Sequence, residues 1–268
     1  MWFEVGATTE QGFVREHNED HILVGRFVKN SGSVALGFTS DDDFVATYGL
    51  LFCVADGVGG SAAGEVASRL VLLTLDREFY AATKTSGASA IDLLRHAVHS
   101  ANTTLLQVAA NKPPLHGMST TLSGVCMLRD GFWTVHAGDS RIYRYRDGLL
   151  KLLTQDDTAA SRAVRNGILS FEAAAASVDS HVLINCLGQD PLALSLEPGP
   201  TLRAGDILLI CSDGLYDMLD DDTIAALLRD SAVAGHTALQ QAQALAAAAN
   251  AAGGQDNTSV IVIRAQHA

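Results

Sequence analysis

Several strand-length apolar runs in this chain stop abruptly at an aspartate, and that pattern narrows the folds open to it. Leu50-Leu51-Phe52-Cys53-Val54-Ala55 ends in Asp56-Gly57. Phe132 to Ala137 ends in Gly138-Asp139, and Ile207 to Cys211 ends in Ser212-Asp213-Gly214. The run Val260 to Ile263 is instead preceded by Asp256-Asn257. Runs this short and this apolar read as buried strands. Three carboxylates therefore leave a strand and one enters another. If the fourth strand runs antiparallel to the rest, all four acids meet at one edge of the core. Bare carboxylates there would raise one another's pKa and resist ionisation. Hard divalent cations such as Mg²⁺ or Mn²⁺ remove that conflict, and oxygen-rich clusters suit them. A single Asp-Gly pair marks an ordinary turn; its repetition beside four apolar strands is what favours a metal.

Further strands are expected at Thr121 to Leu128 and Ile142 to Tyr145, with Arg129-Asp130-Gly131 as a hairpin turn. Helical spacing appears from about Ser89 to Val108, with Ile91, Leu94, Val98, Ala101, Leu105 and Val108 on one stripe. A second helix comes after Gly60 with Val66, Leu70 and Leu73 facing inward, and a third carries Leu239, Ala242, Ala246 and Ala249. Two helices, then adjacent strands, then helices again suggest packed sheets with helices outside. The 268 residues, 48% hydrophobic, bury a sizeable core, and a single domain over 1–268 is the simplest organisation.

The net charge of −12 argues against nucleic acid and anionic membrane as partners. No apolar run is long enough to span a bilayer, and Met1-Trp2-Phe3-Glu4 lacks the basic start of a secretory signal. Cys53, Cys126, Cys186 and Cys211 show no zinc-ligand spacing, so reduced thiols and a cytoplasmic location are expected.

Near the N-terminus, Arg15 presents a planar fork suited to two phosphate oxygens, with Asn18-Glu19-Asp20 just beyond it. Together with a series of motifs spread along the rest of the chain, these residues resemble the metal-dependent protein phosphatases, the type 2C serine/threonine family, in its short bacterial form. The ordered motifs are Asp56-Gly57-Val58-Gly59-Gly60, Gly117-Met118-Ser119-Thr120-Thr121, Gly138-Asp139-Ser140-Arg141-Ile142-Tyr143, Leu153-Thr154-Gln155-Asp156, Ser212-Asp213-Gly214-Leu215 and Asp256-Asn257-Thr258-Ser259. The similarity runs from about Val5 to Val262.

The resemblance implies an α+β fold of two packed, mainly antiparallel β-sheets flanked by helices, a four-layer α-β-β-α sandwich. It implies two Mn²⁺ or Mg²⁺ ions sharing a hydroxide that attacks phosphorus in line. Asp56 would bridge both metals, the Gly57 carbonyl would bind one, and Asp213 and Asp256 would complete the other site. Glu19 and Asp20 would act through ordered waters, Arg15 would hold the phosphate, and Asn257 would support the site. Asp139 with Asp213 resembles the pair that binds a third, weaker ion. A flap is implied at about 155–185, beside the active site. The partners implied are a phosphorylated protein and a cognate serine/threonine kinase, with a monomer expected. Two positions depart from the family pattern. Val58 stands where many members carry histidine, and Asp156-Asp157 stands where Asp-His is common.

Other readings are weaker. No cysteine is followed by a phosphate loop and arginine, so thiol-based phosphatase chemistry is disfavoured. Gly57-Val58-Gly59-Gly60-Ser61-Ala62 matches a dinucleotide fingerprint, but Asp56 would oppose a pyrophosphate. A catalytically silent phosphoprotein-binding module would lack Asp56, Asp213 or Asp256, and all three are present. His96 and His99 read as a solvated pair, His136 as a packed residue near the site, and Asp41-Asp42-Asp43 as an exposed loop. Asp220-Asp221-Asp222 suits a helix N-terminus.

Overall fold

The computed structural model describes residues 1–59, 63–81 and 89–267. The first half supplies β1 (Trp2–Glu10), β2 (His21–Val24), β3 (Phe27–Lys29), β4 (Gly32–Thr39), β5 (Leu50–Ala55) and β6 (Gly57–Val58). Next come β7 (Ser119–Thr120), β8 (Leu122–Leu128), β9 (Gly131–Ala137), β10 (Arg141–Arg146) and β11 (Leu149–Leu152). The last strands are β12 (Ser195–Pro198), β13 (Ile207–Cys211) and β14 (Thr258–Gln266). The helices are α1 (Asp43–Tyr48), α2 (Ala63–Ala81), α3 (Ala90–Asn111), α4 (Ala159–Arg165), α5 (Phe171–Ala175), α6 (Asp213–Tyr216), α7 (Asp221–Val233) and α8 (Ala238–Ala251).

Two six-stranded sheets form, in the orders β11-β10-β13-β14-β1-β4 and β12-β9-β8-β5-β2-β3. Their strand pairs are antiparallel throughout. Between them lies a core of Phe3, Val5, Ile22, Phe52, Val54, Val125, Ile210 and Ile261, drawn from alternate positions of each strand. The other face of the β5 sheet is covered by α2 and α3, through Val71, Leu72, Leu75, Leu94, Val98 and Leu105. The other face of the β13 sheet is covered by α7 and α8, through Ile224, Leu228, Ala242, Leu245 and Ala249. Strands β5, β13 and β14 are therefore buried on both faces, which explains their apolar runs. The result is the expected four-layer α-β-β-α sandwich.

Local chemistry fixes the helices. Ser89 caps α3 by accepting from the Asp92 N–H, and Asp220 caps α7 by accepting from the Thr223 N–H. Thr237 and Gln240 close a capping box on α8. That helix packs unusually near β1, because a Cβ on Gly6 would fall 2.0 Å from the Leu239 backbone nitrogen.

The antiparallel pairing of β13 with β14 has the consequence drawn from the sequence, since Cys211 faces Val260 at the same sheet edge. In the other sheet β5 and β9 both pair antiparallel to β8, so Asp56 and Asp139 leave at one end. Two expectations change. Leu73 of α2 is exposed, and the buried stripe runs instead through Ala67, Val71, Leu75 and Phe79, one position round the helix. Asp43 belongs to the first turn of α1 rather than to a loop, and Asp42 folds back to accept from the Thr39 N–H and hydroxyl. Strands β1 and β4 also carry sheet positions without a clean apolar run, because Gly6, Thr8 and Thr9 interrupt β1.

Candidate active site

Asp20, Asp56, Asp139, Asp213 and Asp256 converge where the strand ends of both sheets meet, close enough for their charges to act on one another. Burial pushes the Asp20 carboxyl up to about 8, with Asp213 and Asp256 adding repulsion against the hydrogen bond that Ser212 donates at 2.7 Å. Burial, then Asp20 and Asp213, hold Asp56 well above the usual carboxylate range. Asp139 is raised in the same way by burial and by Asp213. Asp213 is pushed up to about 6 by burial and by Asp256 and Asp217. Asp20 Oδ1 and Asp213 Oδ1 are buried without any hydrogen-bond partner. Buried polar atoms are nearly always paired, so two orphaned carboxylate oxygens in one cluster fit a bound cation. The donor set is all oxygen apart from one imidazole, which suits a hard divalent ion.

The backbone around Asp56 is held from both sides. Its N–H donates to Thr121 Oγ1 at 3.0 Å, and its carbonyl accepts from the Thr120 hydroxyl at 2.8 Å and the Thr121 N–H at 2.9 Å. Thr121 Oγ1 lies 2.7 Å from Ser140 Oγ, which links this turn to the residue after Asp139. Gly57 pairs with Thr120 and meets the first turn of α2, where a Cβ on Gly57 would fall 2.1 Å from the Gly64 carbonyl oxygen. Only glycine fits that approach. The Gly57-to-Ala62 fingerprint gains no support, as Asp76 lies within α2 with its carboxylate held by Arg26 at 2.6 Å. Gly60, Ser61 and Ala62 lie outside the described residues.

Arg15 reaches the cluster through an ion pair from Nη2 to Asp256 Oδ2, and half of its side chain stays open to solvent. Glu19 lies on the same loop, its carboxyl raised by burial and lowered by Arg15. Asn257 ties this loop down. Its Oδ1 accepts from the Glu19 N–H, and its Nδ2 donates to the Gln11 and His17 carbonyls.

The segment from Thr158 to Leu183 carries α4 and α5 and is pinned at its base by Asp157. The Asp157 N–H donates to the Gly138 carbonyl at 2.7 Å, and its Oδ2 accepts from Asn185 Nδ2 at 2.6 Å. This segment brings His181 into the cluster, where one atom each of Asp139, His181 and Asp213 lie within 4.8 Å of one another. His181 Nδ1 also lies 3.6 Å from Asp217 Oδ2. Sequence reasoning passed over His181, since a histidine in an irregular segment has no periodicity or spacing to mark it. Tyr216 was passed over as well; its hydroxyl donates to the Asp139 carbonyl at 3.1 Å, and Arg141 stacks on its ring at 3.6 Å. His136 is packed, 4% exposed, with its ring nitrogens against Ser123 Oγ and the Gln155 carbonyl. His96 and His99 are exposed on α3. No helix among the described residues is long and apolar enough to cross a membrane.

The model of the family described as protein phosphatase 2C matches residues 36–249. The chain is 33% identical over 259 residues to the serine/threonine protein phosphatase PstP of Mycobacterium tuberculosis, covering 96% of this chain but 44% of that protein. It is 28% identical to the serine/threonine phosphatase stp of Listeria monocytogenes, covering 95% of this chain and 93% of that one. A crystal structure of the PstP catalytic domain in complex with two manganese ions superposes with a TM-score of 0.76 at 30% identity, over the full length of both chains.

Proposed function

Because this chain belongs to the protein phosphatase 2C family, we propose that it is a metal-dependent phosphatase acting on phosphoserine and phosphothreonine side chains of proteins. The observation that carries this reading is the pair of buried, unpartnered oxygens of Asp20 and Asp213 inside a carboxylate cluster, with the Arg15 guanidinium at its open side. Two divalent ions, Mn²⁺ or Mg²⁺, would be held by Asp56, the Gly57 carbonyl, Asp213 and Asp256, with Glu19 and Asp20 acting through waters. A third, weaker ion would take Asp139 and Asp213, and His181 stands within reach of both. Bound there, the ions supply a water of lowered pKa as nucleophile and offset charge on the phosphoryl group.

The chain's own residues do the rest. Arg15 offers its guanidinium to the phosphate oxygens, and positioning of that kind is the larger part of catalysis in phosphoryl transfer. Asn257 fixes the loop on which Arg15 stands. Thr120 and Thr121 hold the Asp56 backbone, and Ser140 braces Thr121, so the turn that presents the carboxylate is fixed. Val58 has no proton to give, so the leaving alkoxide takes its proton from water. The physiological partners are a phosphorylated protein and an opposing serine/threonine kinase. The working unit is a cytoplasmic monomer, one catalytic domain over 1–268 with a flap at about 155–185.

The deciding experiment is hydrolysis of p-nitrophenyl phosphate with Mn²⁺, with EDTA, and by Asp213→Asn beside the parent. Turnover that needs the metal and disappears in a folded Asp213→Asn protein is the expected result. A folded parent that turns over nothing with Mn²⁺ would leave the silent binding module as the better reading.

A further inference from the structure

Thirteen large hydrophobic side chains stand exposed among the described residues, and four of them lie within two residues of a group that meets the carboxylate cluster or is proposed to bind its metals. Phe13 (74% exposed) and Val14 precede Arg15. Val58 adjoins Gly57. Val182 adjoins His181, while Val178 (93% exposed), Phe171 and Ile168 stand elsewhere on the same segment. Phe13, Val14, Val58 and Val182 are thus exposed apolar neighbours, along the chain, of Arg15, Gly57 and His181. Exposed apolar side chains that rim a polar site suit a ligand that carries apolar groups beside its polar one.

The position of this rim says what covers it. A phosphorylated side chain can reach Arg15 and the cluster only if its own backbone neighbours pass over the rim. An extended chain advances about 3.3 Å per residue, so neighbours two or three positions away lie within roughly 10 Å of the phosphorylated residue. Phe13 lies two residues from Arg15, which pairs with Asp256 on one side of the cluster. Val182 adjoins His181, which meets Asp139 and Asp213 on the other side. Exposed apolar side chains therefore adjoin two of the groups that meet the cluster from different segments of the chain. The net charge of −12 repels acidic neighbours of the phosphorylated residue.

We propose that this chain selects phosphoserine and phosphothreonine segments with apolar residues on both sides of the phosphorylated position, gripped between Phe13-Val14 and Val182. The occupant is an extended substrate segment, and the assignment rests on the phosphatase reading of the site. Phe13 and Val182 bind the substrate chain and take no part in the chemistry.

The test compares two phosphothreonine peptides of equal length and charge, one flanked by Leu and Val, the other by Ser and Gly. Each is assayed with Mn²⁺ against the parent, the double variant Phe13→Ser/Val182→Ser, and Leu149→Ser, which removes an exposed side chain of β11 as a control. The parent is expected to favour the apolar-flanked peptide in kcat/KM by about tenfold, the order for loss of a few methylene contacts. The double variant loses that preference through KM and keeps its rate on p-nitrophenyl phosphate, which also shows that it is folded; Leu149→Ser behaves as the parent. Equal rates on both peptides by the parent, with normal p-nitrophenyl phosphate turnover, would overturn the docking proposal and leave the phosphatase standing. A double variant that keeps the preference but changes sedimentation would overturn it in favour of a contact between copies of this chain. A parent without any turnover would sink both readings together.

Discussion

Asn257 reaches across the mouth of the site to hold Glu19, accepting its N–H at 2.8 Å through Oδ1. The same carboxamide donates through Nδ2 to the Gln11 carbonyl at 2.8 Å and the His17 carbonyl at 2.9 Å. One side chain at the start of the strand beyond Asp256 thus sets the loop that carries Arg15. Asn257→Ala leaves three backbone groups of the Arg15 loop without their side-chain partner, a loss of about 1–3 kcal/mol because water can reach part of the loop. The expected outcome is a lower melting temperature together with a raised KM for p-nitrophenyl phosphate. If KM stayed at the parent value while stability fell, Asn257 would be a scaffold residue with no hold on Arg15.

The metal-free protein should become less stable as pH rises through the neutral range. Asp213 is pushed up to about 6 and Asp20 to about 8 in the folded chain, against about 3.9 when unfolded. Between those values the folded state keeps protons that the unfolded state has released. Stability from these groups is therefore present below pH 4 and is lost as pH climbs through 6 and on through 8. After EDTA treatment, the melting temperature at pH 6 should exceed that at pH 9, and saturating Mn²⁺ should flatten the dependence. A metal-free melting temperature that rose from pH 6 to pH 9 would contradict the crowding of these carboxylates.

Asp213→Asn separates stability from activity. The substitution removes one charge from a cluster in which Asp256 and Asp217 both repel it. Without metal, the variant should melt at or above the parent temperature at pH 8, by a few degrees for each kcal/mol of repulsion relieved. Turnover with Mn²⁺ should vanish, and the melting shift produced by added Mn²⁺ should shrink. Parent-like activity in the folded variant would remove Asp213 from the proposed ligands.

Arg15→Ala tests the phosphate contact. Half of this guanidinium is open to solvent, so its loss costs little stability. KM for small phosphate esters should rise by about tenfold, since a charge-assisted contact of roughly 1.5–3 kcal/mol is lost. Affinity for Mn²⁺ should change much less, and isothermal titration would measure it. An unchanged KM would mean that another group holds the phosphate.

How much of this could be read from the sequence depended on whether a residue's role was local. The apolar runs of β5, β13 and β14 fixed their own type and nearly their own ends, because each is buried on both faces. The aspartates at their ends came with those boundaries. In β1 the sheet position is imposed by pairing with β4 and β14, and its threonines gave no apolar signal. Leu73 misled because helical spacing alone admits adjacent stripes, and only the packing of α2 on α3 and the sheet selects one of them. His181 and Tyr216 meet the cluster through tertiary contacts between segments far apart in the chain, and no spacing announces that.

Asp157 offers the last test, because it joins the base of the 158–183 segment to the turn that carries Asp139. Its side chain accepts from the Gly138 N–H at 3.2 Å and from Asn185 Nδ2 at 2.6 Å, and the Ile184 N–H reaches its carbonyl at 2.8 Å. In Asp157→Ala the backbone bonds remain, so the strands on either side should keep their pairing. The Asn185 carboxamide loses one partner but keeps Ala193, so the global cost should stay near 1–2 kcal/mol. Local opening responds differently, because this one carboxylate, at the start of the segment, holds both Gly138 and Asn185, the latter just past the segment's end. Limited proteolysis within 158–183 should accelerate several-fold, and kcat should fall as His181 loses its fixed place beside Asp139 and Asp213. A cleavage rate equal to that of the parent would mean that the Asp157 backbone bonds alone hold the segment.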